Sequence, residues 1–210
     1  MTKRARQWDT INSIVLIGTY LPRRCGIATF TKDLSDALVE QVPDRPCWAL
    51  AVNDHPAGLR YPHRVKFEIN QNRITDYRLA ADFLNMSQVD VVSLQHEFGI
   101  FGGDDGRHII ELLRRLRTPV ATTLHTVLDK PTDGQRLTLQ RIAEFSERVI
   151  VMAHRAVEYL RDIYNVPEEK IVHIPHGIPD VPFVDPNFYK DQYGVEGKKV
   201  ILTFGLLSPG

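Results

Sequence analysis

Short apolar runs rich in β-branched residues alternate with segments of helical period along most of this chain, and no other feature narrows the fold so far. Residues 13–18 read Ser-Ile-Val-Leu-Ile-Gly. A run without polar alternation fits a strand covered on both faces, as in a parallel sheet. Ile27, Phe30, Leu34, Ala37, Leu38 and Val42 follow at helical spacing, and Pro43 supplies a stop. The two signals keep recurring. Further strands are expected over 47–52, 65–69, 89–95, 120–124, 149–152 and 171–174, with 65–69 nearer an edge because it alternates. Helices are expected over 76–86, 108–116, 137–145 and 156–163. Such alternation gives βαβ units: an α/β chain with a mainly parallel, open sheet, helices on its faces and right-handed crossovers.

The character changes after Ile174. Pro175, Gly177, Pro179, Pro182 and Pro186 crowd together. Proline interrupts both helix and ladder, so this stretch is expected to hold neither and to belong to a connection over 177–198. Residues 199–205 read as one more strand with no helix after it. It either pairs with the existing sheet or opens a further domain. The expected organisation is a first domain over 1–176, a connection over 177–198, and the first strand of a truncated second domain over 199–210.

Composition excludes several classes of partner. Lys+Arg and Asp+Glu number 26 each, whereas a nucleic-acid binder carries a positive surplus to neutralise phosphates. The 43% hydrophobic content and the charge balance exclude a disordered chain. Cys25 and Cys47 make no disulfide framework and no C-x-x-C pair, and a reduced pair suits the cytoplasm. The basic residues at 1–8 precede Asp9 rather than a long apolar stretch, unlike a signal peptide. The apolar run at 11–21 is broken by Asn12, Ser13, Gly18 and Thr19, well short of the roughly 20 apolar residues that span a bilayer. Any membrane contact is expected to be peripheral, at the inner face.

Ligands of open parallel sheets bind beyond the carboxyl ends of the strands. His96 with Glu97, then His125, His154 and His176, each stand just after an expected strand, so four of the 8 histidines fall along one rim. Singly, each could cap a helix or fill the sheet edge. Together they suit a polar cleft for hydroxyl-rich or anionic ligands. A metal site is a third reading, because His and carboxylate ligate metals, but no helical i, i+4 pair supports it. Gly26 precedes the first helix, where free amides and the positive dipole end attract phosphate, and Arg23 and Arg24 add charge. A glycine serving only the turn is the plainer alternative. Neither G-x-G-x-x-G nor G-x-x-x-x-G-K-[ST] is present, which disfavours a dinucleotide fingerprint and a P-loop. Phe98, Phe101, Gly102 and Gly103 lie in a glycine- and aromatic-rich segment after Glu97, where the two rings either face a sugar or pin the loop to the core.

Read in order, Ser-Ile-Val-Leu-Ile-Gly-Thr-Tyr at 13–20, Cys-Gly-Ile-Ala-Thr-Phe at 25–30, Gln-His-Glu-Phe-Gly-Ile-Phe-Gly-Gly at 95–103, Thr-Leu-His-Thr at 123–126, Ile-Pro-His-Gly-Ile at 174–178 and Phe-Gly-Leu-Leu-Ser-Pro-Gly at 204–210 resemble the N-terminal half of a family 4 (group 1) glycosyltransferase, nearest its mannosyltransferase-like branch. The resemblance runs from about residue 11 to the end of the chain. It implies the GT-B fold, in which two Rossmann-like, doubly wound domains face each other across a cleft, the first mainly holding acceptor and the second mainly donor. It also implies retaining transfer of a sugar from a nucleotide-sugar, without an obligatory metal or other cofactor.

Carried over by position, the resemblance assigns catalytic roles to His125 and Glu97. It places the donor diphosphate and sugar at Gly26, Ile27 and His125. It places acceptor or sugar contacts at His96, Glu97, Phe98, Phe101, Gly102, Gly103, His154 and His176. His125 is expected to orient the sugar by a hydrogen bond rather than act as a base. The donor implied is GDP-mannose or a UDP-sugar, the acceptor a saccharide or lipid-linked saccharide, and the missing partner the donor domain. Leu206 and Leu207 stand where many members carry an Arg soon after Phe-Gly. The 210 residues are therefore expected to lack transfer activity alone. The alternatives are a non-catalytic half-domain that binds a sugar or nucleotide, and a sugar-nucleotide epimerase or a hydrolase on a related fold.

Overall fold

The computed structural model describes residues 11–55, 57–178 and 182–203. The chain divides into two compact units, Met1–His176 and Gly177–Gly210.

The first unit is built on seven parallel strands: β1 (Ile14–Gly18), β2 (Cys47–Asn53), β3 (Val65–Asn70), β4 (Val91–His96), β5 (Val120–Leu124), β6 (Arg148–Val151) and β7 (Ile171–His173). Their order across the sheet is β3-β2-β1-β4-β5-β6-β7, with the alternating β3 at an edge as expected. Five helices connect them: α1 (Gly26–Gln41), α2 (Ile74–Ser87), α3 (Ile109–Leu113), α4 (Asp133–Phe145) and α5 (His154–Asp162). This is the Rossmann-like α/β arrangement.

The uninterrupted apolar runs have a direct cause. Successive strand side chains point to opposite faces, and here both faces are covered. Val15, Ile17, Leu50 and Val52 join one cluster with Tyr77, Ala80, Ala81 and Leu84 of α2. Leu16, Ala49 and Ala51 face the other way, against Leu34 and Leu38 of α1. Leu124, Val149 and Val151 form a third cluster with Leu139 and Leu160. Each fully buried Leu or Ile of this kind contributes about 1.5–3 kcal/mol, so the sheet is fixed from both sides.

Local chemistry sets several boundaries. β4 starts at Val91 rather than at residue 89 because the Asp90 carboxylate caps the entry to β1, accepting from the amides of Asn12 at 2.7 Å and Ser13 at 2.9 Å. α4 opens on a reciprocal capping box between Thr132 and Gln135. α3 spans only five residues of the expected 108–116.

In the second unit a helix begins where the proline-rich stretch ends. Pro186–Gln192 forms a helix, α6, capped by the Asp185 carboxylate, which accepts from the amide of Asn187 at 2.9 Å. Pro186 sits where a helix needs no N–H, so the proline that closes the irregular stretch also opens a helix. Residues 199–203 form no strand. Phe204 and Gly205 of the strand expected at 199–205, and the remainder of the expected second domain, lie outside the described residues. Among the described residues no helix is long and apolar enough to cross a membrane.

Candidate functional site

From β1 the chain steps outward to β2 and β3, then returns to the opposite side of β1 as β4. That reversal separates the loops following β1 and β4 and opens a crevice at the carboxyl edge. The loop after β1 ends at α1. Cys25 caps this helix, its Sγ accepting from the amide of Ala28 at 3.3 Å and lying 3.1 Å from Thr19 Oγ1. Gly26 is exposed, its φ lies outside the left-handed region, and a Cβ added there would meet nothing within 4 Å. Neither the turn nor the packing requires glycine at this position. What glycine leaves open is the approach to the first amides of α1, those of Gly26 and Ile27, which no intrahelical carbonyl can satisfy. The Ile27 side chain packs on the core.

Arg23 does not serve this end of the helix. Its guanidinium donates to the Val52 carbonyl and to Gln71 Oε1, and pairs with Asp54 at 3.2 Å. It ties the loop to the ends of β2 and β3, leaving Arg24 as the exposed cation of the pair.

Across the crevice stand the ends of β4 and β5. His125 follows β5, and its Nε2 lies 3.1 Å from Gln95 Oε1. Gln95 in turn donates to Ser93 Oγ at 3.0 Å, so its carbonyl oxygen faces His125. This pairing suits the tautomer protonated at Nε2, with Nδ1 as the acceptor. Phe30, one turn into α1, packs edge-on against the His125 ring at 4.7 Å and against His176 at 5.4 Å. Burial, then the neighbouring His176, holds the His125 imidazole down at about 4, so the ring is neutral at pH 7.

Glu97 is a clasp between neighbouring loops. One carboxylate oxygen accepts from the amide of Phe98 and the other from the hydroxyl of Thr126. His96, the last residue of β4, is fully buried, and neither ring nitrogen has a partner. Its ring stacks on Phe101 at 5.7 Å and meets Phe98 edge-on at 5.0 Å. Burial, reinforced by His125, pushes it down to about 3. In this arrangement His96 presents no atom to the crevice.

The rest of the loop after β4 is held by close packing. Phe101 lies in the main core and Phe98 packs on the third cluster. A Cβ on Gly102 would fall 1.8 Å from the Gln71 carbonyl oxygen, and its amide donates to Tyr77 Oη. Gly103 has φ of +77° and lies against His108. His154 starts α5 and stacks on His173 at 3.9 Å. The structure thus brings Phe30, His125 and His176 together near the start of α1 and gives His154 a different neighbour. Among the described residues no three His, Cys, Asp or Glu side chains are grouped to hold a metal.

Gln95, Thr126 and Phe30 are the residues that sequence reading does not single out for the site. Gln95 sits within the strand run and Phe30 on the apolar stripe of a helix, so both look like core. The available signal is that all three lie inside motifs that carry the family resemblance, at 25–30, 95–103 and 123–126.

The model of Glycosyltransferase Family 4 matches residues 24–180, from the loop before α1 to beyond β7. No curated protein matches the sequence. Among solved structures, a glycosyltransferase from Rickettsia africae ESF-5 shares the fold with a TM-score of 0.60 at 16% identity, over 89% of this chain and 50% of its own. The lipopolysaccharide outer core galactosyltransferase WaaB in its apo form gives 0.56 at 10% identity, over 80% of this chain and 47% of its own. The chain spans about half the length of these structures. At such identities the likeness shows the fold, that of one Rossmann-like domain of GT-B glycosyltransferases. With the family pattern covering well over half of the sequence, from the start of α1 past the ends of β4, β5 and β7, the chain belongs to Glycosyltransferase Family 4.

Proposed function

We propose that this chain is the N-terminal, acceptor-side domain of a retaining glycosyltransferase that works in the cytoplasm. It moves mannose from GDP-mannose, or the sugar of a UDP-sugar, to a hydroxyl of a saccharide or lipid-linked saccharide. The observation that carries this reading is the open start of α1 at Gly26, with Phe30 of the same helix packed on His125 at the end of β5.

The chemistry follows from these groups. The bond between the anomeric carbon and the donor diphosphate breaks, and the acceptor oxygen bonds to that carbon on the same face. The acceptor proton leaves with the diphosphate. Charge grows on the departing phosphates, and the amides of Gly26 and Ile27, fixed before the reaction, are placed to stabilise it. His125 is neutral, and its Nε2–H is committed to Gln95. Its Nδ1 therefore accepts from a sugar hydroxyl and orients the ring, without serving as a base. A second domain supplies the cationic side of the donor site, so the 210 residues alone bind but do not transfer. No resident cofactor takes part.

The test is a donor screen on the product of the whole reading frame, with GDP-mannose and UDP-sugars and the anomeric configuration of the product read by NMR. Transfer with retention is expected from the whole protein and none from the 210 residues. Inversion overturns the retaining assignment, and turnover by the 210 residues overturns the division of labour.

A further inference from the structure

A cleft of about 550 Å³ lies between the start of the β1–α1 loop, α1 and the segment that crosses from β2 to β3. Its apolar wall is Tyr20, Leu21, Pro22, Tyr61 and Pro62. Its charged groups are Lys32, Arg60 and Arg64 against the single carboxylate of Asp36. That carboxylate is already shared: Lys32 Nζ stands 2.8 Å away and Arg64 Nη1 3.4 Å away. Lys32 also lies 3.4 Å from Asp33 on its outer side. Arg64 is held further by the carbonyl and hydroxyl of Ser35, at 3.1 and 2.8 Å, so it has a structural task in fastening α1. Arg60 has none. It is exposed and has no carboxylate partner among the described residues.

The lining thus carries a positive surplus in a concave, partly apolar wall, where fields are focused and an anion is drawn in. Tyr20, Leu21 and Pro22 continue directly from β1 into the loop that ends at Gly26, so the cleft and the open start of α1 share one loop.

We infer that this cleft, with Arg60 and Lys32 as its ligand-facing cations, binds an anionic group, phosphate or carboxylate, carried by the sugar acceptor. The inference rests on the reading of the chain as an acceptor-side domain. Tyr61 and Pro62 give the apolar surface for the saccharide ring, and Arg64 holds the wall in place. A neutral acceptor would leave Arg60 without a counter-charge and gain nothing from it.

The test uses this chain alone, labelled with ¹⁵N and titrated with glucose 6-phosphate, glucuronate and neutral glucose, with no donor present. The result expected is that one of the two anionic sugars binds at least five-fold more tightly than glucose and shifts the amides of Lys32, Arg60 and Tyr61. Arg60→Ala weakens that binding at least five-fold with melting unchanged, and so does Lys32→Ala. Whichever anionic sugar binds more tightly identifies the group as phosphate or carboxylate. Equal binding of glucose, unchanged binding in Arg60→Ala, or shifts confined to Gly26 and Ile27 each overturn the inference. Because no transfer is measured, failure here leaves the donor screen intact, and failure of the donor screen leaves this titration readable.

Discussion

Phe30 meets His125 edge to face, with ring centroids 4.7 Å apart and planes at 87°. An apolar side chain one turn into α1 thereby shields an imidazole that belongs to the end of β5. The low pKa of His125, about 4, comes first from burial. Phe30→Ala is expected to cost about 0.5–1.5 kcal/mol for the ring contact alone and to raise the His125 titration toward the ordinary imidazole range. NMR titration of the histidine ring protons reads this directly. If His125 still titrates near 4 in the variant, the strand ends rather than Phe30 keep water from it.

His96 makes a separate prediction about acid. Its folded pKa of about 3 lies below the 6.5 of a free imidazole. Between these values the unfolded chain binds a proton that the folded chain refuses. Stability is therefore complete above about pH 6.5 and falls as pH drops, by up to about 1.4 kcal/mol per pH unit for this one group. His125 adds to the loss between 6.5 and about 4. His96→Leu replaces an unpartnered polar ring by an apolar side chain of similar volume, so stability at pH 7 stays within about 1.5 kcal/mol of the parent. Urea unfolding at pH 7, 6 and 5 is expected to show a shallower acid slope for the variant. Equal slopes would mean that His96 takes up its proton without unfolding.

The order of strands and helices was legible because both faces of the sheet are covered. Val15 and Ile17 are as buried as Leu16, so the run at 13–18 shows no alternation and declares its place. Helix ends were less legible where the cap is unusual, as with Cys25 before α1 or Pro186 at the start of α6. The positions of His96 and His125 at strand ends could be read from the sequence, but their environments could not. Burial of His96 depends on Phe101 arriving from a loop whose path is set by two close glycine contacts. Recruitment of Phe30 depends on how α1 crosses the sheet. Both are tertiary facts that local periodicity does not carry. The same limit applies to Arg23, which adjoins the start of α1 in sequence yet reaches to β2 in space.

Gly26 separates fold from function in one substitution. A Cβ there meets nothing within 4 Å and the backbone is not left-handed. Gly26→Ala should therefore leave melting unchanged or raise stability by up to about 1 kcal/mol, since alanine loses less chain entropy in a helix. A methyl group at the first amides of α1 would still obstruct a diphosphate. On the proposed reading, affinity of the whole protein for its nucleotide-sugar falls at least ten-fold, as read by calorimetry. Unchanged affinity would remove the diphosphate from this helix end.

Gly102 and Gly134 differ in what their missing side chains would strike. At Gly102 the obstacle is the Gln71 carbonyl oxygen at 1.8 Å, backbone held by the Tyr77 hydroxyl that also accepts from the Gly102 amide. Gln71 cannot withdraw without breaking those bonds, so Gly102→Ala is expected to cost about 3 kcal/mol or more, by overpacking and a lost buried hydrogen bond together. At Gly134, in the first turn of α4, the obstacle is Asp105 Oδ2 at 1.9 Å. That atom ends a rotatable side chain and can turn away, while alanine favours the helix by roughly 0.5–1 kcal/mol. Gly134→Ala is therefore expected to stay within about 1 kcal/mol of the parent. Thermal melts of the two variants side by side decide the point, with insolubility of Gly102→Ala counting as the expected loss. If the two melt alike, the loop after β4 does not rest on the end of β3, and the burial of Phe101 and His96 beneath it needs another cause.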